Sequence, residues 1–145
     1  MNRWERWALR VGMLLTGGSG LFYGAVHYFG ARRGEFGPEP HPLQGPLQHV
    51  HVLLAPLLVF AIGMATRGHA SGMLSHRVQL GRRSGLLLLA LSAPMVLSGY
   101  GIQVAMAASL RTALAWAHGV TSLVFFAAYV LHWLKPRPKT RRPER

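Results

Sequence analysis

Hydrophobic residues fall in four long blocks, separated by segments that are basic or rich in glycine and proline. A bilayer core of about 30 Å needs about 20 predominantly apolar residues in helical conformation. The blocks lie at about residues 7–28 (WALRVGMLLTGGSGLFYGAVHY), 49–66 (HVHVLLAPLLVFAIGMAT), 85–108 (GLLLLALSAPMVLSGYGIQVAMAA) and 112–134 (TALAWAHGVTSLVFFAAYVLHWL). The pattern predicts four transmembrane helices. Basic residues precede the first block, as in a signal peptide. No small-x-small cleavage site follows it, and Tyr28, Phe29, Arg32 and Arg33 come instead, so it reads as an uncleaved span. Only a few residues around Ser109, Leu110 and Arg111 join the last two blocks, which predicts antiparallel neighbours. The expected fold is all-α: an integral-membrane, up-and-down bundle over residues 1–134, then a proline-broken basic tail, residues 135–145. The loop after the first block reads as an irregular cap, and no internal repeat is evident.

Composition narrows the class. The chain has 145 residues, room for one domain at most. Half of it is hydrophobic and 14% is charged, against about 25% in soluble domains. A net charge of +12 on so apolar a chain excludes a disordered tail and argues against a nucleic-acid partner. The absence of cysteine removes disulfides, iron–sulfur clusters, thiolate zinc and covalent CxxCH haem attachment.

Lys and Arg are unevenly placed. Thirteen lie on the side of the termini and three, Arg32, Arg33 and Arg111, on the other. The positive-inside rule puts both termini in the cytoplasm. The tail then reads as a positive anchor within reach of anionic lipid head groups.

An ionisable side chain at membrane depth is costly and marks function by default. His41 and His76 fall in loops; the informative histidines are His27, His49, His51, His69, His118 and His132. His118 and His132 are 14 residues apart. At 100° per residue they share a helix face, about 21 Å apart along the axis. His51 and His69 are 18 apart, five whole turns and about 27 Å. The second and fourth spans run in the same direction, so His51 and His118 occupy the outer level and His69 and His132 the inner one. Two imidazoles at each of two depths suit two b-type haems with both axial positions filled, which favours electron transfer over oxygen binding. Pro56 in the second span can absorb the unequal spacing by a kink.

Other features are less specific. Gly17, Gly18, Ser19, Gly20, Gly24, Ser92, Ser98, Gly99, Gly101 and Gly119 permit close helix contact or leave room for a flat macrocycle. Arg32, Arg33, Arg111, Arg67, Arg77, Arg82 and Lys135 could neutralise propionates, but serve first as topology determinants. Tyr100 and Gln103, near the outer end of the third span, could hydrogen-bond a quinone carbonyl, or anchor the helix at the interface. The acidic residues, Glu5, Glu35, Glu39 and Glu144, all lie outside the spans, so no carboxylate dyad or Ser–His–Asp set exists at membrane depth. Nor is there a phosphate-binding glycine loop. Two rival readings remain: a haem-free scaffold or assembly subunit, and a copper transporter built on His49, His51, Met64, Met95 and Met106.

The fourth block, WAHGVTSLVFFAAYVLHWLK, resembles the final helix of bacterial four-helix di-haem cytochromes b. These include the membrane anchors of formate dehydrogenases and nickel–iron hydrogenases, and smaller relatives. HVHVLLAPLLVFAIGMATRGH followed by RRSGLLLLALSAPMVLSGYGIQ is similar to the small relatives. The resemblance implies that His118 and His132 are haem ligands and that electrons pass to or from quinone for a partner redox subunit. It also implies a bacterial cytoplasmic (inner) membrane, and an electron-transfer subunit rather than a complete enzyme. The chain departs from the large anchors, whose first and second helices each give one ligand. Its one first-span histidine, His27, is near the outer end. His27 therefore competes with His51 for the outer haem, and the inner ligand falls to His69. His51 is favoured by the face it shares with His69.

Overall fold

The computed structural model describes residues 2–67 and 82–134, in two compact units, Met1–Arg77 and Val78–Arg145. Most of the predicted cytoplasmic loop, with His69 and His76, and the tail 135–145 lie outside the described residues.

In the first unit, α1 (Arg3–Gly12), a π-helical turn (Met13–Gly17) and α2 (Gly18–Phe29) follow one another without a break. Asn2 and Glu5 start α1 with a capping box: Asn2 Oδ1 accepts the Glu5 backbone N–H and Glu5 Oε2 accepts that of Asn2, both at 2.8 Å. After α2 the segment expected to be irregular forms a small antiparallel hairpin, β1 (Arg32–Gly34) and β2 (Gly37–Glu39). Arg32 pairs with Glu39 and Gly34 with Gly37, whose φ of +126° is one that side chains rarely permit. This hairpin is the one addition to the expected all-α architecture among the described residues. The next helix, α3 (Gln44–Ala65), begins five residues before the expected boundary. Pro46 falls in its first turn, where a missing N–H costs no helical hydrogen bond. The helix runs back along the first stretch: Gly12 faces Leu58, Thr16 Oγ1 donates to the Leu54 carbonyl at 2.9 Å, and Gly20 faces His51.

The second unit is an antiparallel pair, α4 (Arg82–Val104) and α5 (Ala108–Leu134), joined by residues 105–107. Ser84 meets His132, Gly99 meets His118 and Gly101 meets Leu114, a constant register along the pair. The turn comes about four residues earlier than expected. Val104, Ala105, Met106, Ala107 and Ala108 are all apolar, so hydropathy does not mark it. Arg111 closes the turn by donating from Nε (3.2 Å) and Nη2 (2.8 Å) to the Ala105 carbonyl. A cation is favoured there by the exposed carbonyls of a helix end.

Among the described residues three helices are long and apolar enough to cross a bilayer: Gln44–Ala65, Ser84–Val104 and Ala108–Leu134. Many of their large apolar side chains point outward, Leu53, Phe60 and Leu97 each being more than two-thirds exposed, while Leu58, Met95 and Phe125 are buried. The buried positions include small or polar residues, Ala61, Ala128, Thr16, Ser92 and Ser98. This is the reverse of a water-soluble domain and suits a lipid solvent, where small residues let helices approach. Hydroxyls are satisfied locally: Ser92 donates to the Leu89 carbonyl, Ser98 to those of Pro94 and Met95, and Thr121 to that of Ala117. Pro56 in α3 and Pro94 in α4 lack an N–H, so the Val52 and Ala90 carbonyls lose their helical donor.

Candidate functional site

In each unit one histidine lies against a glycine of the facing helix, and the two are held alike. In the first unit, His51 of α3 lies against the first helical stretch, with Nδ1 3.1 Å from the Thr16 carbonyl and 3.2 Å from Ser19 Oγ. Ser19 Oγ itself donates to the Thr16 carbonyl at 3.0 Å. In the second unit, His118 of α5 lies against α4, with Nδ1 2.9 Å from the Met95 carbonyl. A carbonyl only accepts, so each Nδ1 carries the proton. A neutral imidazole then has its lone pair on Nε2. That is the tautomer a metal-binding histidine adopts when its other nitrogen is anchored by a carbonyl.

Glycine provides the room for both rings. A Cβ on Gly20 would come within 2.7 Å of His51 Cε1, and one on Gly99 within 2.9 Å of His118 Cε1. Each glycine lies four residues after the anchoring carbonyl, Thr16 before Gly20 and Met95 before Gly99, and each follows a serine, Ser19 or Ser98. The same device therefore occurs in both units. In the first unit it coincides with the π-helical turn, which replaces the regular hydrogen-bond ladder at Thr16.

His132, near the C-terminal end of α5, is held differently. Its Nδ1 is 2.8 Å from Ser84 Oγ in the first turn of α4. His69 lies outside the described residues, so of the four predicted ligands His51, His118 and His132 are placed, His118 and His132 together on α5. Ser122 Oγ, one turn beyond His118, is 3.5 Å from its Nε2.

The remaining predicted residues lie apart from these contacts. His27 is exposed on α2, stacked on Tyr23 at 5.6 Å between ring centroids and edge-on to Tyr28 at 4.8 Å. His49 is exposed on α3. Tyr100 and Gln103 are exposed near the C-terminal end of α4. Arg32 and Arg33 are on the hairpin, and Arg32 Nη2 is 3.1 Å from His41 Nε2. Among the described residues no group of three or more His, Cys, Asp or Glu is gathered as a site for a bare ion. Sequence reasoning missed Ser19 and Ser84 as histidine partners and the Thr16 and Met95 carbonyls as anchors. The Ser-Gly pairs at 19–20, 84–85 and 98–99 were the visible signal.

Comparison with protein-family models, curated proteins and solved structures gives no match for this chain.

Proposed function

We propose that the protein is a membrane-bound b-type cytochrome that carries electrons between quinone and a partner redox protein. In this reading His51 and His118 are the axial ligands of an outer haem, and His69 and His132 those of an inner haem. One observation supports it most: His51 and His118 share a carbonyl-anchored Nδ1–H and a ring seated on glycine. A single histidine held so for helix contact alone is ordinary, but the same device in both units fits a shared role in ligation. Haem would supply the one-electron chemistry. The chain's part would be to fix the imidazole tautomers, orient the rings and keep water from the iron. An inner-membrane location with both termini cytoplasmic belongs to the same proposal.

A reduced-minus-oxidised spectrum of the purified protein, with a pyridine haemochrome count per chain, tests the reading. A b-type α-band with two haems per chain is expected. One haem would discard one histidine pair. No band in protein made with ample haem would favour the second reading, a haem-free scaffold. That alternative has its own support, because the Thr16, Met95 and Ser84 contacts join helices within a unit and would stabilise them without a cofactor. Tyr100 and Gln103 are the proposed contacts for quinone, within this same reading. Unchanged quinol-driven haem reduction in a Tyr100→Phe/Gln103→Leu double variant would remove them.

A further inference from the structure

The three placed histidines differ in what holds them. His51 and His118 each have a backbone carbonyl at Nδ1 and a glycine under the ring. His132 has a side-chain hydroxyl at Nδ1, that of Ser84 at 2.8 Å. The neighbouring glycine provides no seat, since a Cβ on Gly85 would meet nothing within 4 Å. A carbonyl can only accept, so it dictates the tautomer of His51 and of His118. A serine hydroxyl can donate or accept, so its contact with His132 is compatible with the proton on either ring nitrogen.

We propose that Ser84 is the positioning residue for His132, its hydroxyl accepting the Nδ1–H so that Nε2 is directed to the iron of the inner haem. This rests on the haem reading above. Coordination through Nε2 requires the proton on Nδ1, so Ser84 must act there as acceptor. Its oxygen pulls on the N–H and makes the imidazole a stronger electron donor, which stabilises ferric iron. Removing the hydroxyl therefore raises the midpoint potential of the haem that His132 holds and leaves the other where it was.

Redox titration of the full chain in detergent, with haem counted per chain, compares wild type with Ser84→Ala and Ser84→Thr. The expected result is an upward shift of one haem's midpoint in Ser84→Ala, the other unmoved, and a near-wild-type titration in Ser84→Thr. Loss of one haem in Ser84→Ala with recovery in Ser84→Thr supports the assignment equally. Ser84→Ala protein that keeps its haems at wild-type midpoints overturns the role of Ser84 and leaves the cytochrome reading standing. Wild-type protein without haem overturns both. Should Ser84→Ala fail to assemble, ¹⁵N-histidine NMR of haem-depleted wild type decides: His132 protonated at Nδ1 supports the assignment, and protonation at Nε2 overturns it.

Discussion

The ring of His118 occupies the space that a side chain on Gly99 would fill, with a Cβ there only 2.9 Å from Cε1. The hydrogen bond from Nδ1 to the Met95 carbonyl, one turn earlier on α4, holds the ring in that space. Gly99→Ala must push the imidazole outward, and because a side chain rather than backbone yields, the helix pair survives. The expected outcome is unchanged helical circular dichroism with at least half of the haem lost. Gly101→Ala is the matched control. Its Cβ would meet Leu114 Cδ1 at 3.0 Å, a flexible apolar end that can turn aside. Full haem content in Gly99→Ala would show that the ring's seat does not matter for ligation.

Removing ligands should remove haems one at a time. His118→Ala is expected to leave about one haem per chain of two, the inner one, and His132→Ala the outer one. The double variant should be colourless. His49→Ala, altering an exposed histidine on the same helix as His51, should retain both haems. Pyridine haemochrome counts check all four. A His118→Ala protein that keeps two haems would refute the pairing.

The first unit offers a test of packing that does not involve a cofactor. A Cβ on Gly12 would sit 3.3 Å from the Leu58 Cα, backbone that cannot rotate away. One on Gly18, six residues along, would meet nothing within 4 Å. Gly12→Ala should therefore force α1 and α3 apart and cost about 1–2 kcal/mol. Gly18→Ala should be neutral or stabilise by up to about 1 kcal/mol, as alanine does in helices. Equilibrium unfolding in mixed micelles of increasing sodium dodecyl sulfate fraction reads both. Equal effects would mean that α1 and α3 do not pack through Gly12.

Hydropathy predicted four spans, and three of them, those from Gln44 onward, are helices long and apolar enough to cross a bilayer among the described residues; lipid-facing residues such as Leu53, Phe60 and Leu97 give them their long apolar runs. Their limits were not legible. The α4–α5 turn is as apolar as the helices it joins, and the four-residue error there amounts to about one helical turn. With the turn misplaced, the opposition of Ser84 to His132, or of Gly99 to His118, could not be read from residue spacing. The 14-residue interval between His118 and His132 needed no such register, since both lie on α5. The anchoring carbonyls of Thr16 and Met95 were invisible for a different reason: every residue has one, and only helix pairing selects which meets a histidine. The hairpin was hidden among Gly34, Gly37, Pro38 and Pro40, residues that signal a turn of any kind.

The proposed topology can be read directly because the chain contains no cysteine. Single cysteines then report their own side without background labelling. Phe36, at the tip of the β1–β2 hairpin, is 96% exposed, and Asn2, ahead of α1, is exposed as well. With three basic residues on the side of the hairpin and thirteen on that of the termini, Phe36 should face outward and Asn2 the cytoplasm. In intact spheroplasts a membrane-impermeant maleimide should label Phe36→Cys and spare Asn2→Cys. Permeabilisation should expose Asn2→Cys to the reagent. Labelling of Asn2→Cys alone in intact cells would invert the protein and exchange the outer and inner haems. Labelling of both would mean that the first helical stretch does not cross the bilayer, leaving the three apolar helices from Gln44 onward as the spans.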